Sequence, residues 1–347
     1  MRASAYNRTH LWLRLAILMF GIAGMQCVPA SSQTPTDQAK PTQKQEERFW
    51  LAGRYDGNRV IVYFDAVKFN GTMPSIAQKL PEPEARGFFA PVKLPLTYVA
   101  KFQTRPGVEH FVIGEKYDLL LDYGKVATVT LTTLVGAETD EGVGNDSFIG
   151  ALATLDEDDV MYLSKNYYVV RRHREMPDER PKAPTIRSVY PGLFGEPVRF
   201  DIQTEIVALL TERMKSMATQ TERRAAEGLS PIVNVQAFRQ AGGTLRYYAG
   251  AAWNSGEGTE VKTAYALAAW ISPLPKLHIL EVQTRTSGYD GGIDSPTLLN
   301  VVDLGEGRTG IIVSISGGDS GSTDLLEYRD SQDIAHMRVL QSIGAGE

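Results

Sequence analysis

Cysteine is all but missing from this chain. Its one copy, Cys27, falls near the N-terminus. Beyond it there is no pair for a disulfide, no thiol nucleophile and no thiolate for a metal. Histidine is scarce too, with five copies in 347 residues. None forms H-x-x-x-H or HExxH, and no P-loop or GxGxxG stretch appears. The sequence therefore gives no metal or nucleotide motif, and no cofactor is expected. Positive charge is in deficit, with 36 Lys and Arg against 41 Asp and Glu, a net of −5. Phosphate backbones and anionic bilayers both select a cationic footprint, so neither nucleic acid nor an anionic membrane surface is expected as a partner. After the first 30 residues no apolar run approaches the roughly 20 residues that cross a bilayer.

What the N-terminus does hold is a three-part leader. Arg2, Arg8 and Arg14 are basic, Leu15 to Met25 is a short apolar run, and Val28-Pro29-Ala30 presents a cleavage pattern. This predicts a signal peptide over 1–30, cut after Ala30, and a secreted or periplasmic protein. A lipoprotein signal at Cys27 is the alternative, but Gly24-Met25-Gln26 lack the Leu and small residue of a lipobox. Residues 31–47 are rich in Gln, Thr, Pro and Lys and read as a flexible linker.

Residues 48–176 read as an N-terminal β-rich domain. Asp56-Gly57 is a tight-turn pair between two apolar runs. Val126 to Thr133 alternates β-branched and apolar residues, which favours a strand. Pro177, Pro181 and Pro184 mark a boundary. Residues 185–347 then read as a helix-plus-sheet domain. Ile202, Ile206, Leu209, Leu210, Met214 and Met217 make one helical stripe, and Gly228 is a natural stop. From Leu245 to Tyr328 come successive antiparallel strands. The first two are crowded with small residues, Ala249 to Ala252 and Ala264 to Ala269. The expected fold class is α+β: a predominantly antiparallel β-sheet with one long helix, about 200–227, packed on it.

Several stretches are weighed for chemistry. Gly318-Asp319-Ser320-Gly321 spells the nucleophile motif of trypsin-like serine proteases. No histidine sits in that family's context, however, and Gly, Asp and Ser are ordinary hairpin residues, so the stretch reads as a turn. Val301 to Val313 (VVDLGEGRTGIIV) resembles the strand–loop–strand of FG-GAP-type repeats through Asp303, Gly305, Glu306 and Gly307. The copy is one residue short and Gly310 replaces a carboxylate. The resemblance thus implies a turn of related shape without the six to eight oxygens calcium needs. As a whole the chain resembles exported bacterial proteins that carry no assigned activity.

Glu138, Asp140, Glu141 and Asp146 cluster in a Gly-containing stretch, where paired carboxylates bind a ligand or do acid/base work on a glycoside. Arg171, Arg172, His173 and Arg174 read as the solvated end of a strand facing Glu175 and Asp178. His278 reads as a core histidine. Trp253 and Trp270, with Tyr247, Tyr265 and Tyr289, offer aromatic faces for a sugar or serve as packing. The expected function is an exported, non-catalytic protein that binds a ligand or partner, protein or carbohydrate, or is structural. The alternative is a secreted carboxylate-dependent hydrolase of glycosides or esters.

Overall fold

The computed structural model describes residues 47–67, 80–81, 91–94, 111–120, 126–138, 147–155, 163, 165–173, 198–240, 243–255, 263–287, 295–317, 320–330 and 335–343. The first half forms a barrel. Strands β1 (Phe49–Arg54) and β2 (Arg59–Val67) make the hairpin expected at Asp56-Gly57. The Asp56 carboxylate secures its turn by accepting from the backbone N–H of Asn58 at 3.3 Å and of Arg59 at 3.0 Å. Next come β3 (Val92–Lys93), β4 (Lys116–Leu120), β5 (Val126–Glu138), β6 (Ser147–Leu155) and β7 (Tyr167–Arg172). The pairing order is β5-β4-β7-β1-β2-β6, all antiparallel, and β6 pairs back onto β5. Six strands therefore close on themselves, with β3 added along β5, and closure removes the free edges of an open sheet.

Alternation decides what fills the barrel. Trp50, Ala52, Val62, Phe64, Tyr117, Leu119, Val129, Ala153, Tyr168 and Val170 form one buried cluster inside it. Their neighbours Leu51, Ile61, Tyr63, Leu120, Leu152 and Val169 point the other way, yet they too are buried. The outer set is covered by a second sheet. This is the meander β12 (Thr297–Gly305), β13 (Arg308–Gly317), β14 (Ser320–Asp330) and β15 (Ala335–Ile343). Val302, Leu304, Ile312, Leu325 and Ile343 face the barrel wall. The opposite face, with Leu298, Val301, Ile311, Val313, Leu326 and Tyr328, packs on a third sheet. Burial on both faces is why these strands are written as unbroken apolar runs.

The third sheet is β8 (Ile232–Arg239), β9 (Leu245–Ser255), β10 (Thr263–Ser272) and β11 (His278–Ser287), in the order β11-β10-β9-β8. Tyr248, Ala268 and Trp270 meet the meander, while Tyr247, Ala249, Ala251, Trp253, Leu267 and Ala269 point away from it. Small residues thus serve both faces. At Gly250 the Pro296 backbone crosses so closely that a Cβ would run into its carbonyl.

This architecture overturns the α+β expectation. The described residues hold fifteen strands and two helices, and they are organised by a barrel and two sheets. The single long helix over 200–227 is instead α1 (Phe200–Met217) and α2 (Gln220–Ala226). The break has a local cause. Thr219 and Glu222 form a capping box, each side chain bonding the other's backbone N–H, which starts a new helix and prevents continuation of the old one. The buried stripe is correspondingly narrower than the sequence pattern. Ile206, Leu210, Met214 and Ala226 lie against the third sheet, whereas Met217 is 43% exposed. No helix among the described residues is long and apolar enough to cross a membrane.

Amide side chains tie the layers together. Gln236 of β8 donates to the Leu298 carbonyl at 2.8 Å and accepts from its N–H at 2.9 Å, as a strand neighbour would. Gln341 of β15 accepts from Leu51 N–H at 2.5 Å and donates to the Tyr63 carbonyl at 2.7 Å. Asn300 donates to the Tyr167 carbonyl at 3.0 Å. Each fills backbone valences that burial would otherwise leave empty.

Two buried tyrosines make the stack alkali-sensitive. Burial pushes the Tyr63 and Tyr248 hydroxyls well above their ordinary value of 10.0, with Tyr167 adding to the first and Asp324 to the second. A raised folded-state pKa stabilises fully below the unfolded value and is lost as pH climbs past it. Above pH 10 the protein is therefore expected to lose stability progressively. Phenolate absorbance followed together with circular dichroism checks this. The last tyrosines should ionise only as the sheet signal disappears, and ionisation of every tyrosine in a folded protein would contradict it.

Candidate functional site

The capping box that separates α1 from α2 also shapes a groove. It redirects the chain so that α2 and the turn after it run beside the C-terminal half of α1, over β9. Gly228, with φ of 80°, then releases the chain toward β8. The groove has a volume of about 630 Å³. Met214 and Trp253, both buried, line it together with Lys215, Arg223, Arg224 and Glu227. Trp253 is held in place by its cross-strand partner Tyr265, with rings 6.2 Å apart and tilted by 57°. Burial raises the Tyr265 hydroxyl above its ordinary value and Glu222 adds to this, against the opposing Thr284 hydrogen bond and Arg213.

Its electrostatics are cationic. Lys215 bonds Glu212 at 2.8 Å. Arg223 and Arg224 are exposed and meet no carboxylate among the described residues, which leaves two guanidinium forks facing solvent. Such forks take a carboxylate or phosphate by paired hydrogen bonds.

A second charged group is sealed in the fold. Asp118 of β4 is 2% exposed and accepts from Arg171 Nε at 3.2 Å and from His173 Nδ1 at 2.6 Å. Arg171 also faces Glu47 at 3.5 Å, and Glu47 pairs with Arg308 of β13 at 2.9 Å. The chain thus joins the barrel to the β12–β13 hairpin. A carboxylate at this distance only accepts, so Nδ1 of His173 carries the proton.

The structure scatters the residues singled out by sequence. Glu138 ends β5, paired in register with Ser147. Asp140, Glu141 and Asp146 lie outside the described residues. Trp253 lines the groove, while Trp270 is fully buried between the two sheets, edge-on to Tyr248 at 5.1 Å. Arg171, read as part of a solvated strand end, is buried in the ion network. Gly317 pairs with Ser320, while Gly318 and Asp319 of the GDSG stretch lie outside the described residues. Glu306 and Gly307, with φ of 56° and 75°, turn the β12–β13 hairpin, and the Asp303 carboxylate accepts from Gly305 N–H at 2.7 Å.

Neither Arg223 nor Arg224 was singled out from the sequence. The signal that would have found them is Thr219-Gln220-Thr221-Glu222, a capping-box pattern that starts a second helix and brings both arginines to the groove. Compared with protein-family models, curated proteins and solved structures, the chain finds no match.

Proposed function

We propose that the protein is exported and non-catalytic, and that it holds an acidic ligand outside the cytoplasm in the groove beside Trp253. The observation that carries this reading is the pair Arg223 and Arg224, exposed and without carboxylate partners among the described residues, lining one groove together. Two guanidinium groups in one groove suit a carboxylate-bearing saccharide, or an acidic side chain of a partner protein. Export rests on the leader, with Arg2, Arg8 and Arg14 ahead of an apolar run and Val28-Pro29-Ala30.

Titration calorimetry with an acidic oligosaccharide, oligogalacturonate, and a neutral one, maltohexaose, tests the site. The acidic sugar is expected to bind and the neutral one not. The double variant Arg223→Ala, Arg224→Ala is expected to lose the binding, with melting unchanged. Equal binding of both sugars, or binding that survives in the variant, overturns the assignment. Turnover of a chromogenic glycoside or ester that Glu141→Gln abolishes would establish the hydrolase reading instead. The intact mass of the secreted form is expected to begin at Ser31.

A further inference from the structure

The two open sheets have four outer strands, β8 and β11 in one and β12 and β15 in the other. Gln236 of β8 bonds both backbone groups of Leu298 in β12. Gln341 ties the β15 edge to Leu51 and Tyr63 of the barrel. β11 is the outer strand beside α1. It pairs with β10 alone and comes close to β15 of the meander, and among the described residues no strand is hydrogen-bonded along its other side. An edge strand in this state presents a row of backbone donors and acceptors.

Beside this edge runs a second groove, of about 590 Å³, between α1 and β11. Leu209, Glu212, Arg213 and Ser216 contribute to it at helical spacing, so one face of α1 forms one wall. The other wall is the unbroken run Lys276 to Val282. The ladder between β10 and β11 shifts register between Trp270 and Ile271. This bulge sends Leu280 into the layer between the sheets and leaves both Ile279 and Val282 on the helix side. The groove thus has an apolar floor of Leu209, Ile279 and Val282.

Its rim is charged. Glu212 is already bonded to Lys215. Arg213, Lys276 and Glu281 have no ion pair among the described residues, so two free cations stand against one free carboxylate. His278 donates through Nδ1 to the Lys276 carbonyl at 2.9 Å, and its Nε2 is buried without a hydrogen-bond partner among the described residues.

We propose that this groove is a strand-docking site, and that it takes an extended peptide with an acidic side chain between apolar ones as a fifth strand beside β11. The free backbone row demands an extended backbone, the floor takes alternate apolar side chains, and the surplus of cations takes the acid. The site is separate from the groove beside Trp253 and does not depend on it.

A phage-displayed random octapeptide library, panned against the secreted full chain, supplies the probe. A selected peptide, labelled with fluorescein, is then measured by anisotropy. The expected selection carries Asp or Glu between apolar residues. Methylating alternate backbone nitrogens of the peptide is expected to abolish binding, because the ladder bonds go with them. Arg213→Glu is expected to weaken it about tenfold, the scale of one lost charge-assisted hydrogen bond. Ser216→Trp, at an exposed helix position, fills the groove and is expected to abolish binding with melting unchanged. Saccharide binding through Arg223 and Arg224 should persist in both protein variants, so the two sites fail or stand separately. A library that enriches nothing overturns the proposal, as does binding indifferent to Ser216→Trp or to N-methylation. Light scattering that shows a dimer which Ser216→Trp dissociates would give the edge to a second copy and overturn it as well.

Discussion

Gly250→Ala is expected to lower stability by about 3 kcal/mol or more, for the addition of one methyl group. A Cβ at this position would run into the Pro296 carbonyl oxygen and lie 2.9 Å from the carbon and nitrogen of the same residue. All three are backbone atoms, and they belong to the segment that starts β12, already fastened by Gln236 to Leu298. Overpacking a core side chain costs about 1–3 kcal/mol because neighbours shift into other rotamers. A backbone held from both sides has no rotamer to take, so the upper end of that range or beyond is expected. Gly57→Ala is the control. It sits in an exposed turn with nothing within 4 Å of the added carbon, and surface changes of this kind stay within about 0.5 kcal/mol. Urea denaturation of both variants separates them. Equal stabilities would mean that β9 and the start of β12 do not touch.

The second large effect is expected at Asp118. Removing one partner of a buried ion pair leaves the other charged and unpaired, at a cost of about 3–5 kcal/mol. Asp118 is 2% exposed and Arg171 8%, so solvent does little to relieve the charge left behind. Asp118→Ala should therefore approach the full cost, softened to the extent that Glu47 continues to face Arg171. Replacing both residues, Asp118→Leu with Arg171→Met, is expected to cost much less than the sum of the single changes, since no orphan charge remains. A double-mutant cycle by chemical denaturation reads this coupling directly. Additive losses would show that the two side chains do not meet.

These two sites also show what the sequence can and cannot reveal. The Asp56-Gly57 hairpin is readable, since its turn chemistry is written in adjacent residues. So is the alternation in β5, where Ala127, Val129 and Leu131 are buried on the inner face. The barrel is not readable, because nothing in β5 or β6 says that they pair with each other as well as with β4 and β2. Arg171 looked like the basic end of a strand because its true partner, Asp118, is 53 positions away. The helical stripe was seen, but the capping box inside it was not, and one expected helix became two. The small residues of β9 stood out in the sequence, but not that they serve two faces, with Ala249 and Ala251 beside Ile206 and Leu210 on one side and Gly250 against Pro296 on the other. Of the candidate site, only Trp253 was named in advance. Its arginines depended on a change of chain direction that the hydrophobic pattern alone does not carry.

The central claim is that a closed barrel and two sheets form one stack. Native-state hydrogen exchange read by mass spectrometry tests it most directly, since protection follows pairing on both sides and burial. The stack predicts that β5 and β6 are protected as strongly as β1 and β7, because the β5–β6 ladder closes the barrel. It also predicts that β9, β10, β13 and β14 open together with the barrel, as layers sharing buried faces should. In β11, which pairs with one strand alone among the described residues, protection should be weaker than in β10. Fast exchange confined to β5 and β6, or sheets that open at lower energy than an intact barrel, would contradict the account.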